Sequence, residues 1–189
     1  MPVSHRAPPR ALKLTYDEYV ALPLDDGRRY EILDGELYVT PSPLIRHQAV
    51  SRNLQRILDH HILENKLGEL FDAPVDLILA RTTITVPDLV FVRGNRKSII
   101  TEKAIEGPPD LVVEIVSPSS RKQDRVVKAT LYSRYRVREY WIVDPDTRTL
   151  DILELRGRAY HRAARFAGAV KARSKTLPGL EIDLGKVWA

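Results

Sequence analysis

Pro109-Asp-Leu-Val-Val-Glu-Ile-Val-Ser-Pro-Ser-Ser120 is an apolar, β-branched run with one carboxylate, Glu114, embedded in it. Its valines and isoleucine predict a buried strand from Leu111 to Val116. An isolated ionised carboxylate is costly in apolar surroundings, so a residue in this position needs a cation, a metal or a hydrogen-bond network. Glu114 is therefore the first candidate for chemistry.

The stretch sits in a chain of 189 residues, 43% of them hydrophobic, enough for one domain with a core of ordinary size. Cysteine is absent, which excludes disulfides and thiolate metal sites and suits a reducing compartment. Met1 to Arg10 has prolines and arginines but no apolar signal core, and no later run approaches a membrane-spanning length. The expectation is a cytoplasmic protein with no membrane partner, built as a flexible leader over 1–13 and a single domain over 14–189.

Charge is unevenly distributed. The chain carries +5 in total, while residues 121–175 hold 15 Lys/Arg against 6 Asp/Glu, a net +9 that leaves −4 for the remainder. A basic half beside an acidic half suits a polyanion on one face and carboxylate-held cations elsewhere; a solvated basic surface explains the charge equally well.

Thr15 with Glu18 three residues later predicts a short capped helix ending at Pro23. Asp34-Gly35 between two alternating runs, from Arg29 to Thr40, predicts a hairpin. Ser42-Pro43 reads as the start of a long helix, with Val50, Leu54, Ile57 and Leu58 at helical spacing toward Glu64. Strands follow over Leu70 to Leu79 and Thr82 to Val92, then an irregular segment from Arg93 to Gly107. After the Glu114 strand come a helix from Arg121 to Tyr135, a strand from Glu139 to Val143 and a hairpin with arms at Thr149 to Leu155 and Ala159 to Arg162. This order predicts an α/β fold with one central mixed β-sheet flanked by helices.

Pro-Asp-Leu-Val occurs at 87–90 and again at 109–112, so two aspartates compete as partners of Glu114. Asp110 precedes Glu114 by four positions on the same strand, about 13 Å away at roughly 3.3 Å per residue. Asp88 lies on a different strand, and adjacent strands are about 5 Å apart, so its carboxylate and that of Glu114 can converge on one hard cation. Taken singly, Asp88 is a strand-entry residue after proline and Glu114 a structurally paired carboxylate.

Pro87-Asp88 followed by Glu114 in an apolar strand resembles the PD-(D/E)XK restriction-endonuclease-like superfamily. More closely, the chain resembles the Uma-type family of putative restriction endonucleases. The shared features are Tyr30-Glu-Ile-Leu-Asp-Gly-Glu-Leu, Ser42-Pro with His47, Val86-Pro-Asp-Leu-Val-Phe-Val, the Glu114 strand, Asp124 with Lys128, Glu139-Tyr-Trp-Ile-Val-Asp-Pro and Leu177-Pro-Gly-Leu. The resemblance implies a restriction-endonuclease-like fold and a Mg²⁺-dependent endodeoxyribonuclease, with Mn²⁺ as a substitute and no small-molecule cofactor. It implies metal ligation by Asp88, Glu114 and the carbonyl of Ile115.

The superfamily pattern places a lysine two residues after the glutamate, where this chain has Val116. The resemblance implies that Lys128, one helix later, takes that role, with Glu31 assisting. Asp124 and Lys128 are four apart and share a helical face, which alone reads as a surface ion pair. Glu31 alone reads as a solvated strand residue, His47 as a structural histidine, and Tyr140 and Trp141 as core. Arg121, Lys122 and Arg125 are expected to contact DNA phosphates, and cutting a duplex with one site per chain implies a homodimer. Two alternatives stand beside this: a catalytically silent DNA-binding or interaction domain of the same fold, and a hydrolase of other phosphodiesters.

Overall fold

The computed structural model describes residues 13–22, 28–40 and 42–189. The expected leader, Lys13 apart, lies outside these, as does Pro23. Helix α1 (Tyr16–Val20) has the predicted capping box between Thr15 and Glu18. Strands β1 (Arg29–Leu33) and β2 (Glu36–Thr40) form the predicted hairpin. Asp34 and Gly35 both have positive φ, 54° and 91°, which the tight primed turn demands and which this residue pair tolerates.

Helix α2 (Ile45–Glu64) begins two residues later than Pro43, with Leu44 still extended, and buries Val50, Leu54, Leu58 and Ile62 at four-residue intervals. The next two predicted strands are each cut in two. β3 (Gly68–Asp72) and β4 (Asp76–Ala80) flank Pro74, and β5 (Thr83–Thr85) and β6 (Leu89–Arg93) flank Pro87. Proline cannot donate to a β-ladder, so the chain leaves one sheet there and enters another.

The segment expected to be irregular instead holds a 3₁₀ helix, Gly94–Ile99, and β7 (Ala104–Glu106). β8 (Leu111–Ile115) leads through a π-helical segment, Gln123–Lys128, and α3 (Ala129–Arg134) to β9 (Glu139–Asp144). The long hairpin β10 (Thr149–Arg156) and β11 (Ala159–Ala167), the short strands β12 (Lys171–Arg173) and β13 (Glu181–Asp183), and α4 (Leu184–Val187) complete the chain.

The expected single sheet is therefore three. A five-stranded sheet has the order β2-β1-β5-β4-β7, a six-stranded sheet the order β11-β10-β9-β8-β6-β3, and β12 pairs with β13. Within the six-stranded sheet β8 and β9 run parallel, joined by the helical crossover, while β6 and β8 are antiparallel. Alternation along β8 divides the core. Leu111, Val113 and Ile115 pack with the α2 stripe and Trp141, whereas Val112 and Val116 face Tyr132 and Tyr140 on the side of α3. Glu114 falls on that second face by the same period of two. Among the described residues no helix is long and apolar enough to cross a membrane.

Candidate active site

The antiparallel register of Leu89 with Val113 brings Asp88, the residue preceding β6, opposite Glu114. Both carboxylates open onto one cavity of about 460 Å³, and Glu31, His47, Ile115, Asp124 and Lys128 line it too. Asp110 is at the other end of β8, buried among Arg93, Arg96 and Arg138, and has a structural role.

Each acidic group is held by the backbone or by a neighbouring element. Asp88 Oδ2 accepts the Ile115 N–H at 2.8 Å and lies 3.1 Å from His47 Nε2, while Arg29 Nη1 is 3.5 Å from Oδ1. Glu114 Oε1 accepts bonds from Lys128 Nζ at 3.0 Å and from the Tyr132 hydroxyl at 2.8 Å. Glu31 Oε1 accepts the Val86 N–H at 2.8 Å and stands 2.9 Å from Lys128 Nζ, and its Oε2 accepts Gln123 Nε2 at 3.3 Å. Asp124 Oδ1 is 3.4 Å from the same ammonium. Lys128 Nζ thus meets three carboxylates at this point, while Val116 is packed in the apolar cluster.

The π-helical winding explains how Gln123 and Lys128 reach one carboxylate. In an α-helix residues five apart point about 140° apart, given 3.6 residues per turn. An i→i+5 ladder holds more residues per turn and turns the pair onto one side, as π-segments at functional sites often do. Tyr140 braces the same segment by donating its hydroxyl to the Asp124 carbonyl at 2.9 Å.

Burial governs the protonation behaviour. It pushes Glu114 well above the usual carboxylate range; Lys128 opposes that, and Asp124, Asp88 and Glu31 reinforce it. Burial alone would lower the Lys128 pKa, but Glu114, Glu31 and Asp124 outweigh it and hold the amine well above its ordinary 10.5. Lys128 is thus a fixed ammonium at neutral pH.

Acidic side chains outnumber basic ones on the cavity wall, with Glu31, Asp88, Glu114 and Asp124 facing Lys128 and Arg29. Among the described residues no group of three or more His, Cys, Asp or Glu side chains is arranged as a metal cage. The donors present are instead two carboxylates, Asp88 and Glu114, beside the main chain of Ile115. That set could hold a hard cation such as Mg²⁺, which is bound through one or two carboxylates and keeps several of its own waters.

Of the three residues expected to contact DNA, Lys122 is exposed. Arg121 is bonded to Asp144 and Asp146 at 3.4 and 3.2 Å, and Arg125 to Asp151 and Asp144 at 3.0 and 3.4 Å. Those two guanidiniums tie the start of the crossover helix to β9, β10 and the turn between them, a competing engagement with a structural purpose. His47, read as structural, is paired with Asp88 Oδ2 at 3.1 Å. Arg29, Gln123 and Tyr132 went unmarked in the sequence, although Arg29 lies two residues from Glu31 on a strand and Tyr132 four from Lys128 on a helix.

The class of protein is defined by a six-stranded mixed sheet whose central strands bring Asp88 and Glu114 together beneath Lys128 of the crossover helix and Glu31 of the second sheet. The fold matches a crystal structure titled as a putative nuclease belonging to DUF820 from Anabaena variabilis ATCC 29413, with a TM-score of 0.76 and 17% sequence identity over 92% of this chain and 97% of that one. A family model described as Uma2, putative restriction endonuclease, matches residues 16–185, and the chain belongs to that family. No curated protein matches it.

Proposed function

We propose that this chain hydrolyses DNA phosphodiester bonds as a Mg²⁺-dependent endonuclease, with Mn²⁺ as a substitute metal. The observation that carries this reading is the 3.0 Å contact of Lys128 Nζ with Glu114 Oε1, on the cavity that Asp88 also lines. Asp88, Glu114 and the Ile115 carbonyl would hold the ion, which when bound polarises the phosphate and acidifies a water.

The chain's own groups supply the rest. Lys128, held as an ammonium, orients the attacking water and offers preorganised positive charge to the phosphate as negative charge builds on it; it is too basic to act as a proton acceptor. Glu31 and Asp124 fix the ammonium, and Tyr132 fixes Glu114. His47 and the Ile115 N–H aim the Asp88 carboxylate. Lys122 contacts a phosphate outside the cavity.

The test incubates supercoiled plasmid and circular single-stranded DNA with the protein, with and without Mg²⁺ or Mn²⁺, beside Glu114→Gln and Lys128→Ala. Metal-dependent cutting of either DNA, lost in both variants, supports the proposal. Intact DNA in every lane, or equal cutting by all three proteins, defeats it. DNA binding without cleavage would then favour the silent module, which draws on the saturation of Lys128 by three carboxylates.

A further inference from the structure

The cavity walls and mouth bear on which form of nucleic acid can reach the site. The reacting groups are recessed: Glu31 is 1%, Glu114 4%, Lys128 5% and Asp88 7% exposed. About 460 Å³ of space lies in front of them, within the range of small-ligand pockets, roughly 300–1,000 Å³. Duplex DNA is stiff over about 150 base pairs and carries its phosphates on a convex outer surface. A scissile phosphate reaches this cavity most readily from a strand that has left the helix.

The mouth has the matching chemistry. Val39 on β2 and Leu44 before α2 line it and are 48% and 63% exposed, and Leu37 is a further exposed apolar residue on the same face of β2. Aliphatic side chains at an entrance can cover the faces of unstacked bases by hydrophobic contact, without the aromatic stacking that many single-strand binders use. The nearby guanidiniums are engaged elsewhere: Arg46 with Asp146, Arg121 with Asp144 and Asp146, Arg125 with Asp144 and Asp151. Gripping the two phosphate rows of a duplex calls for a track of available cations. Arg29 is paired too, 3.5 Å from Asp88, but that pair is the longest of these. Arg29 is a quarter exposed on the cavity wall, so it can turn to a single phosphate, with exposed Lys122 a further cation outside the cavity.

We infer that the substrate is an unpaired DNA strand, threaded with its bases against Val39 and Leu44 and one phosphate on Arg29. The inference rests on the nuclease reading above. Its test gives the full chain, with Mg²⁺, an unstructured single strand, the same sequence as a closed duplex, and that duplex carrying a single-stranded flap. Unstacking costs a few kcal/mol per base, so the single strand and the flap are cut at least about tenfold faster than the duplex. Leu44→Asp raises KM for the single strand and leaves kcat unchanged. Metal-dependent cutting of the duplex as fast as the single strand overturns the inference while preserving the nuclease reading, and an unchanged KM in Leu44→Asp overturns the role of the mouth. Failure to cut any of the three substrates overturns both readings.

Discussion

The ammonium of Lys128 stands 3.0 Å from Oε1 of Glu114 across fourteen residues of chain, inside the protein. The same nitrogen lies 2.9 Å from Glu31 on β1. One cation thus joins the five-stranded sheet to the six-stranded sheet. Its removal leaves Glu31, Glu114 and Asp124 with no counter-charge at this point. Lys128→Met is expected to abolish metal-dependent cleavage and to destabilise the fold by about 3–5 kcal/mol in urea unfolding at neutral pH. A raised lysine pKa stabilises fully below the ordinary 10.5 and loses that contribution as pH rises through the folded-state value. The gap between wild type and variant therefore persists from neutral pH to 10.5 and narrows only in stronger alkali.

Glu114 has the opposite sign. Because burial raises its folded-state pKa above 4.5, the folded protein binds this proton more tightly than the unfolded chain does. That contribution is complete below 4.5 and is lost as pH rises through the raised value. Glu114→Gln cannot ionise, so relative to wild type it gains stability between acid and neutral pH while losing activity. Urea unfolding of both proteins across that window checks the slope, and parallel curves would refute the assignment.

The groups that aim the carboxylates are expected to matter for turnover. Tyr132→Phe removes the 2.8 Å bond to Glu114, and His47→Ala removes the 3.1 Å contact with Asp88. Each is expected to lower cleavage by about 10–100-fold with the fold retained. Titrating cleavage against Mg²⁺ concentration locates the defect. A rightward shift of the metal dependence is the expected signature.

The arginines of the crossover helix are expected to serve stability. Arg125→Ala removes the 3.0 Å partner of buried Asp151 and one of the two arginines on buried Asp144, and should cost about 1–3 kcal/mol. It should leave the salt dependence of DNA affinity unchanged. Lys122→Ala should instead reduce that salt slope by about one and leave stability intact. DNA binding at several salt concentrations and thermal melts of both variants separate the two roles.

Local chemistry made much of this legible in the chain. Asp34-Gly35 announces its turn because few other pairs accept two positive φ angles. The α2 stripe announces a helix because its apolar residues recur every four positions. Glu114 announces itself because a carboxylate within a valine run requires a partner. The same local logic misled at Leu70 to Leu79 and Thr82 to Val92, where Pro74 and Pro87 each break one apparent strand into members of two sheets. His47 was opaque for a different reason: a histidine on an apolar helix face has the same sequence signature whether or not an aspartate from a distant strand lies 3.1 Å away.

Periodicity made the α/β class legible, and the cost of burying charge marked Glu114 and made Asp88 on a neighbouring strand its better partner, because both are properties of short segments. Lys128 came forward only through the family resemblance, since Asp124 and Lys128 alone read as a surface ion pair. Only the tertiary structure decided that Gln123 and Lys128 grip one carboxylate, that Arg121 and Arg125 are bound to Asp144, Asp146 and Asp151, and that the carboxylates lie recessed behind Val39 and Leu44. Each of those depends on the π-helical winding of the crossover, or on how two sheets close over it, and neither leaves a period in the sequence.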